Sequence, residues 1–86
     1  MSEITRNRIY DKVIKTVTDI SGRTPTELTG DTELIMDLNL DSLAIFEIVI
    51  ELEETFDLRI ADEDIDRIKT IDDVVNYIDR QEIAGK

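Results

Sequence analysis

Ser42 stands between Asp41 and Leu43 at the head of an apolar and acidic run, DLNLDSLAIFEIVIELEE, residues 37–54. A hydroxyl at a helix start has two ordinary uses. Serine or aspartate before an apolar helical run commonly caps the free N–H groups of the first turn. The same hydroxyl can be a modification site, because a phosphodiester attached there would lie beside free backbone N–H groups at the positive helix end. Asp41 would oppose that charge in part, so the helix dipole alone does not explain the pairing. The chain has no cysteine and no histidine. That excludes thiol nucleophiles, disulfides, cysteine- or histidine-ligated zinc and histidine acid–base catalysis from its own side chains. Carboxylates remain, but 86 residues leave little room for a deep catalytic cleft. We expect no catalytic residue. Asp37, Asn39 and Asp41 match the first three ligands of a calcium-binding loop. The glycine that should follow is Ser42, and the closing glutamate is Ile48, so no metal site is expected.

The elements that would position these residues are helices. Ile9, Tyr10, Val13, Ile14, Val17 and Ile20 recur at helical spacing, which predicts a helix over 3–20. Ser21-Gly22 and then Pro25 stop it. A long connection over 22–40 follows, with Leu28, Leu34, Ile35, Leu38 and Leu40 as anchors onto the core. A second helix is expected over 42–55, then an extended connector in which Phe56, Leu58 and Ile60 face inward. ADEDIDRI, residues 61–68, reads as a short helical turn with acids at its positive end. The last helix begins where Thr70 and Asp73 form a capping box, and it buries Ile71, Val74, Val75 and Ile78 with Tyr77 at the edge. The expected fold class is all-α: a single domain over 1–86, a small antiparallel four-helix bundle of three main helices and one short one, with a long first loop.

Advancing about 100° per residue along the second helix separates two apolar stripes. Ile45, Ile48, Val49, Leu52 and Phe56 share the core sector. Leu43, Phe46 and Ile50 fall more than a quarter-turn away, flanked by Glu47, Glu53 and Glu54, with Ser42 between the stripes. Unpaired glutamates are expensive to bury, so an apolar strip rimmed by acids points to an interaction surface. Charge supports this. The net charge is −11, from 21 acidic and 10 basic residues, and no base lies between Arg23 and Arg59, a span with ten acids. Such a balance argues against a nucleic-acid partner and fits docking by basic partners. Self-repulsion in that span should also limit stability at low salt. Melting temperature should then rise with added magnesium or sodium chloride, and a flat titration would exclude the effect. No apolar run is long enough to span a bilayer and MSEITRNRIY lacks the apolar core of a signal peptide, so a cytoplasmic protein without membrane insertion is expected.

DLNLDSLAIFEIVIELEETFDLRI, residues 37–60, resembles the centre of the acyl carrier proteins, whose usual signature reads D-L-G-x-D-S-L before an acidic helix and E-E-x-F. ADEDIDRIKTIDDVVNYI continues the likeness through the family's short third helix and its fourth helix, so that it covers residues 31–78. The resemblance implies that Ser42 carries 4′-phosphopantetheine, transferred from coenzyme A by a phosphopantetheinyl transferase with magnesium, with Asp41 and Leu43 beside the arm. It implies that Leu43, Phe46, Glu47, Ile50, Glu53 and Glu54 meet acyl-processing enzymes through basic docking patches. It further implies that a carried acyl chain folds against Ile45, Val49, Leu52, Ile60 and Ile68, and that the protein is a monomeric carrier, not an enzyme. The borrowed thiol suits a chain with no cysteine.

Three departures are present. Asn39 replaces the usual glycine, Ala44 an acid two places after the serine, and Ala61 a frequent proline. Asparagine tolerates left-handed backbone; the missing acid at 44 removes one docking charge and points to altered partner choice. Aminoacyl and peptidyl carriers often have histidine before the modified serine, so Asp41 favours acyl cargo of fatty-acid, polyketide or related synthesis. An interaction module that has lost its arm is the rival of another class, and retention of Asp41, Ser42 and Leu43 argues against it. The start at Met1 and the short tail after Ile83 suggest a free-standing carrier.

Overall fold

The computed structural model describes residues 2–84, with side chains described over 6–81. The chain ends on which the free-standing expectation rested, Met1 and the final residues, lie outside the described residues. Helix α1 spans Ser2–Ser21, α2 Ser42–Phe56, α3 Asp62–Ile65 and α4 Ile71–Ala84, with a 3₁₀ turn at Pro25–Glu27 inside the first loop. The fold is all-α, three main helices and one short one, as the periodicity predicts. Helix α1 packs against both α2 and α4.

The apolar spacing dictates this packing. Ile9, Val13 and Val17 of α1 meet Ile48 and Leu52 of α2 and Ile71, Val75 and Ile78 of α4 in one core from which water is almost fully excluded. Burying each such side chain stabilises by about 1.5–3 kcal/mol before entropy is counted, so most of the apolar content is committed here. Helix α1 ends where Gly22 adopts φ 78° and donates its N–H to Thr18 O at 2.9 Å.

The first loop holds more order than its sequence suggests. Leu28, Leu34 and Leu38 are buried and Leu40 is half-buried, as anchors should be. Ile35 is the exception: it is 58% exposed. The residues from 34 to 38 turn tightly, so Leu34 and Leu38 point inward and their neighbours outward. The loop is tied to the start of α4 by an antiparallel bridge between Glu33 and Thr70, with Leu34 N–H donating to Lys69 O at 2.9 Å. Gly30 permits the close approach, because a Cβ there would run into the Asp72 carboxylate.

Helix α2 runs one residue further than expected. Phe56 is its last residue and only half-buried, not the first of an extended segment. The helix closes at Asp57, which takes the left-handed conformation (φ 53°) and returns its N–H to Glu53 O. Leu58 and Ile60 then turn toward the core as predicted.

Candidate functional site

Asp41, not Ser42, caps α2. Asp41 has extended backbone, and its Oδ1 accepts the Ala44 N–H at 2.9 Å. Its carbonyl accepts the Ile45 N–H at 3.0 Å. Ser42 is thus the first helical residue, exposed, and its hydroxyl has no hydrogen-bond partner among the described residues. The N–H groups of Ser42 and Leu43 likewise have no acceptor among the described residues. The helix start is therefore capped once, at Ala44, and open beside the serine.

The turn before Ser42 is built locally. Asp37 Oδ2 accepts the Glu33 N–H at 2.8 Å, and Leu40 N–H reaches Leu34 O at 3.2 Å. Asn39 reverses the chain with φ 57°, the left-handed conformation expected where this family usually has glycine. Two of the three side chains that mimic a calcium loop, Asp37 and Asp41, are thus spent on backbone N–H groups.

The two stripes of α2 separate as the helical spacing predicts. Ile45, Ile48, Val49 and Leu52 are buried. Leu43, Phe46 and Ile50 are 71%, 46% and 51% exposed, and Glu47 and Glu54 are exposed beside them. Glu53 departs from its expected place on this face. It is half-buried and its Oε2 accepts the Ile60 N–H at 2.8 Å, so it fastens the connector instead of offering a free charge.

An open cleft of about 530 Å³ lies beside Ser42. Ile35 and Met36 of the first loop, Ile45 and Phe46 of α2, and Ile65 and Ile68 form its apolar lining, while Lys69, Glu33, Asp62 and Asp66 bring charge to it. Of the residues expected to line an acyl pocket, Ile45 and Ile68 reach this cleft. Val49, Leu52 and Ile60 do not; they are packed into the core at 6% exposure or less. Their inward spacing marks them correctly as buried, and here they pack in the core, not on the cleft wall. Ile35, Met36 and Ile65 were missed. The first two sit in a loop with no periodicity to assign a face, and their one signal was an apolar pair with no helical partner.

Helix α3, one wall of the cleft, is held by side chains. Tyr77 of α4 donates its hydroxyl to Asp64 Oδ2 at 2.9 Å. Burial, then the hydrogen bond to Asp64 and its charge, raise the Tyr77 phenol above its ordinary value of 10.0. At the start of α4, burial pushes the Asp73 carboxyl up, but the N–H groups of Lys69 and Thr70, the Thr70 side chain and the Lys69 charge outweigh it. The result is a value below the ordinary 3.8.

The unengaged hydroxyl thus stands at an open helix start, with an apolar cleft beside it and an exposed apolar strip below it, a geometry that leaves room for a covalently attached group. Comparison with known proteins points the same way. The family described as the phosphopantetheine attachment site matches residues 11–78. An acyl carrier protein from Bdellovibrio bacteriovorus is 38% identical over 85% of this chain and 94% of its own length. One from Rhodococcus erythropolis is 32% identical over 94% of this chain and 89% of its own. The solved structure of an acyl carrier protein from Enterococcus faecalis superposes with a TM-score of 0.77 at 33% identity, covering 87% of this chain and 95% of that one. The chain belongs to the acyl carrier protein family. It is a carrier, not an enzyme, and its prosthetic group is 4′-phosphopantetheine. No described helix is long and apolar enough to cross a membrane.

Proposed function

We propose that Ser42 is the attachment residue and that the chain presents acyl groups to enzymes of fatty-acid, polyketide or related synthesis. The observation that carries this is the division of labour at the start of α2: Asp41 does the capping, which leaves the Ser42 hydroxyl exposed and without a partner among the described residues. In the transfer, the Ser42 Oγ forms a bond to the phosphorus that carries the pantetheine of coenzyme A. The pyrophosphate linkage breaks, adenosine 3′,5′-bisphosphate leaves with the electron pair, and the serine proton passes to the transferase. The attached group supplies the thiol on which acyl cargo is held. This chain's own residues bind and present: the open N–H groups of Ser42 and Leu43 favour a phosphate at the positive helix end, and the cleft walls of Ile35, Met36, Ile45 and Phe46 offer the arm and its cargo apolar shelter.

Leu43, Phe46 and Ile50, flanked by Glu47 and Glu54, form the face for a phosphopantetheinyl transferase and for acyl-processing enzymes with basic docking patches. The protein acts as a monomer of one domain over residues 1–86, in the cytoplasm. Intact mass after incubation with coenzyme A, magnesium and a broad-specificity phosphopantetheinyl transferase tests the assignment. One phosphopantetheine should be gained by the wild type and none by Ser42→Ala. No gain by folded wild type, with a control carrier modified, would leave an unmodified interaction module.

A further inference from the structure

The side of α2 away from the Ser42 cleft faces α1 across a second depression of about 430 Å³. Its walls are Thr16, Asp19 and Ile20 of α1 and Glu47, Ile50 and Glu51 of α2. Ile20 is half-buried against the core and Ile50 half-exposed at the lip, so the groove has an apolar component. Its charged lining is three exposed carboxylates, with no basic residue among them. Ile50 also belongs to the exposed strip of Leu43 and Phe46, so groove and strip are one continuous surface.

We infer that this groove seats an arginine side chain of a docking protein, and that partners therefore reach across α2 onto α1, with Asp19 as a docking residue. The inference rests on α2 being the partner face and extends that face to an element the α2 pattern does not include. The chemistry fits a long cationic side chain. Its aliphatic stem covers Ile20 and Ile50 while its head meets Asp19, Glu47 and Glu51. Arginine suits the site because a planar, weakly hydrated guanidinium can meet several carboxylates at once. Glu47 contributes to both strip and groove, which gives one residue a part in anchoring two portions of the same partner.

The test is a titration of the ¹⁵N-labelled 86-residue chain with n-propylguanidinium, the arginine side chain without its backbone, and with guanidinium, at constant ionic strength. Saturable amide shifts should centre on Thr16, Asp19, Ile20, Glu47, Ile50 and Glu51. The propyl compound should bind on the order of tenfold more tightly, from alkyl burial. Asp19→Asn should weaken it by about threefold, while Asp11→Asn, an exposed acid elsewhere on α1, should not. Shifts spread over Glu54 and Asp57 as well, no preference for the alkyl stem, or equal effects of the two variants would overturn the inference. So would a concentration-dependent dimer dispersed by Asp19→Asn, which would give the groove to a second copy of the chain. Arm attachment to Asp19→Asn, read by mass, separates the two claims. If wild type and variant both accept the arm but the titration fails, the groove is wrong and the carrier reading stands. If neither accepts it, the carrier reading fails whatever the groove binds.

Discussion

Helices α2 and α4 begin with similar sequence, an oxygen-bearing cap before an apolar helical run, and end up in opposite states. At α4 the chain satisfies the first four N–H groups itself. Thr70 N–H donates to Asp73 Oδ2 and Asp73 N–H to Thr70 Oγ1, both at 3.1 Å. Ile71 and Asp72 donate to Thr32 O and Gly30 O in the first loop at 3.1 and 2.9 Å. At α2 the corresponding donors are those of Asp41, Ser42, Leu43 and Ala44, and among the described residues only Ala44 has a partner, Asp41 Oδ1. Helix α4 also carries Asp72 and Asp73 in its first turn, whereas α2 carries no acid in its own. A closed helix start is a structural joint, and an open one is available to an outside anion. The difference separates a cap that stabilises the fold from a serine left open to the modification proposed above.

The largest break in this comparison comes from Ser42→Ala. Attachment of the arm should be lost entirely, while stability stays within about 0.5 kcal/mol because the hydroxyl has no bond to lose. A destabilised variant in urea unfolding would mean that Ser42 is a cap after all. Next comes Thr70→Ala, which removes the acceptor for Asp73 N–H and should cost about 1–2 kcal/mol by the same measurement, with arm attachment unchanged. Asp41→Ala should cost about 1 kcal/mol through the single side-chain bond to Ala44, no more than Thr70→Ala, because Asp41 is exposed and Thr70 half-buried. Smallest is Ala61→Pro. Ala61 has φ −67°, which proline fixes without strain, but its N–H donates toward the Tyr77 oxygen and draws that phenol's pKa down, a contact proline would remove. The gain of about 0.4–1 kcal/mol from the stiffened chain and the loss of that contact should nearly cancel, leaving stability within about 0.5 kcal/mol of wild type; a clearly lower urea midpoint would show that the contact outweighs the gain.

Acid sharpens the same contrast. The folded value of Asp73 lies below its ordinary 3.8. The stability it contributes is therefore complete above pH 3.8 and is lost as pH falls through the folded value. Urea midpoints taken downward from about pH 5 to about pH 2 should decline less steeply for Asp73→Asn than for wild type. Parallel curves would remove Asp73 from the closed start of α4. Tyr77 has the reverse sign: its contribution is complete below pH 10.0 and is lost as pH rises through the higher folded value.

The helices and both stripes of α2 were legible in the sequence because side-chain periodicity reports burial directly. The capping box at Thr70 and Asp73 was legible for the same local reason. What lay beyond reach depends on contacts distant in sequence or on single backbone choices. Ile35 looks like a core anchor until the bridge between Glu33 and Thr70 and the tight turn after it set which residues point inward. Glu53 looks like a free surface charge, but the chain doubles back and presents Ile60 N–H to it. Val49, Leu52 and Ile60 were correctly placed inside, but inward spacing does not distinguish a packed core from a cleft wall. At the start of α2, adjacent Asp41 and Ser42 both suit a cap, and only the geometry assigns that role to Asp41 and leaves the serine free.

The most direct measurement is the ¹⁵N amide spectrum of the 86-residue chain before and after attachment of the arm. If the open start of α2 receives the phosphate, the largest shifts fall on Ser42 and Leu43, while Thr70 to Asp73 at the closed start of α4 stay in place. Unmoved Ser42 and Leu43 amides in fully modified protein, or dominant shifts around another hydroxyl such as Thr29, would contradict the account.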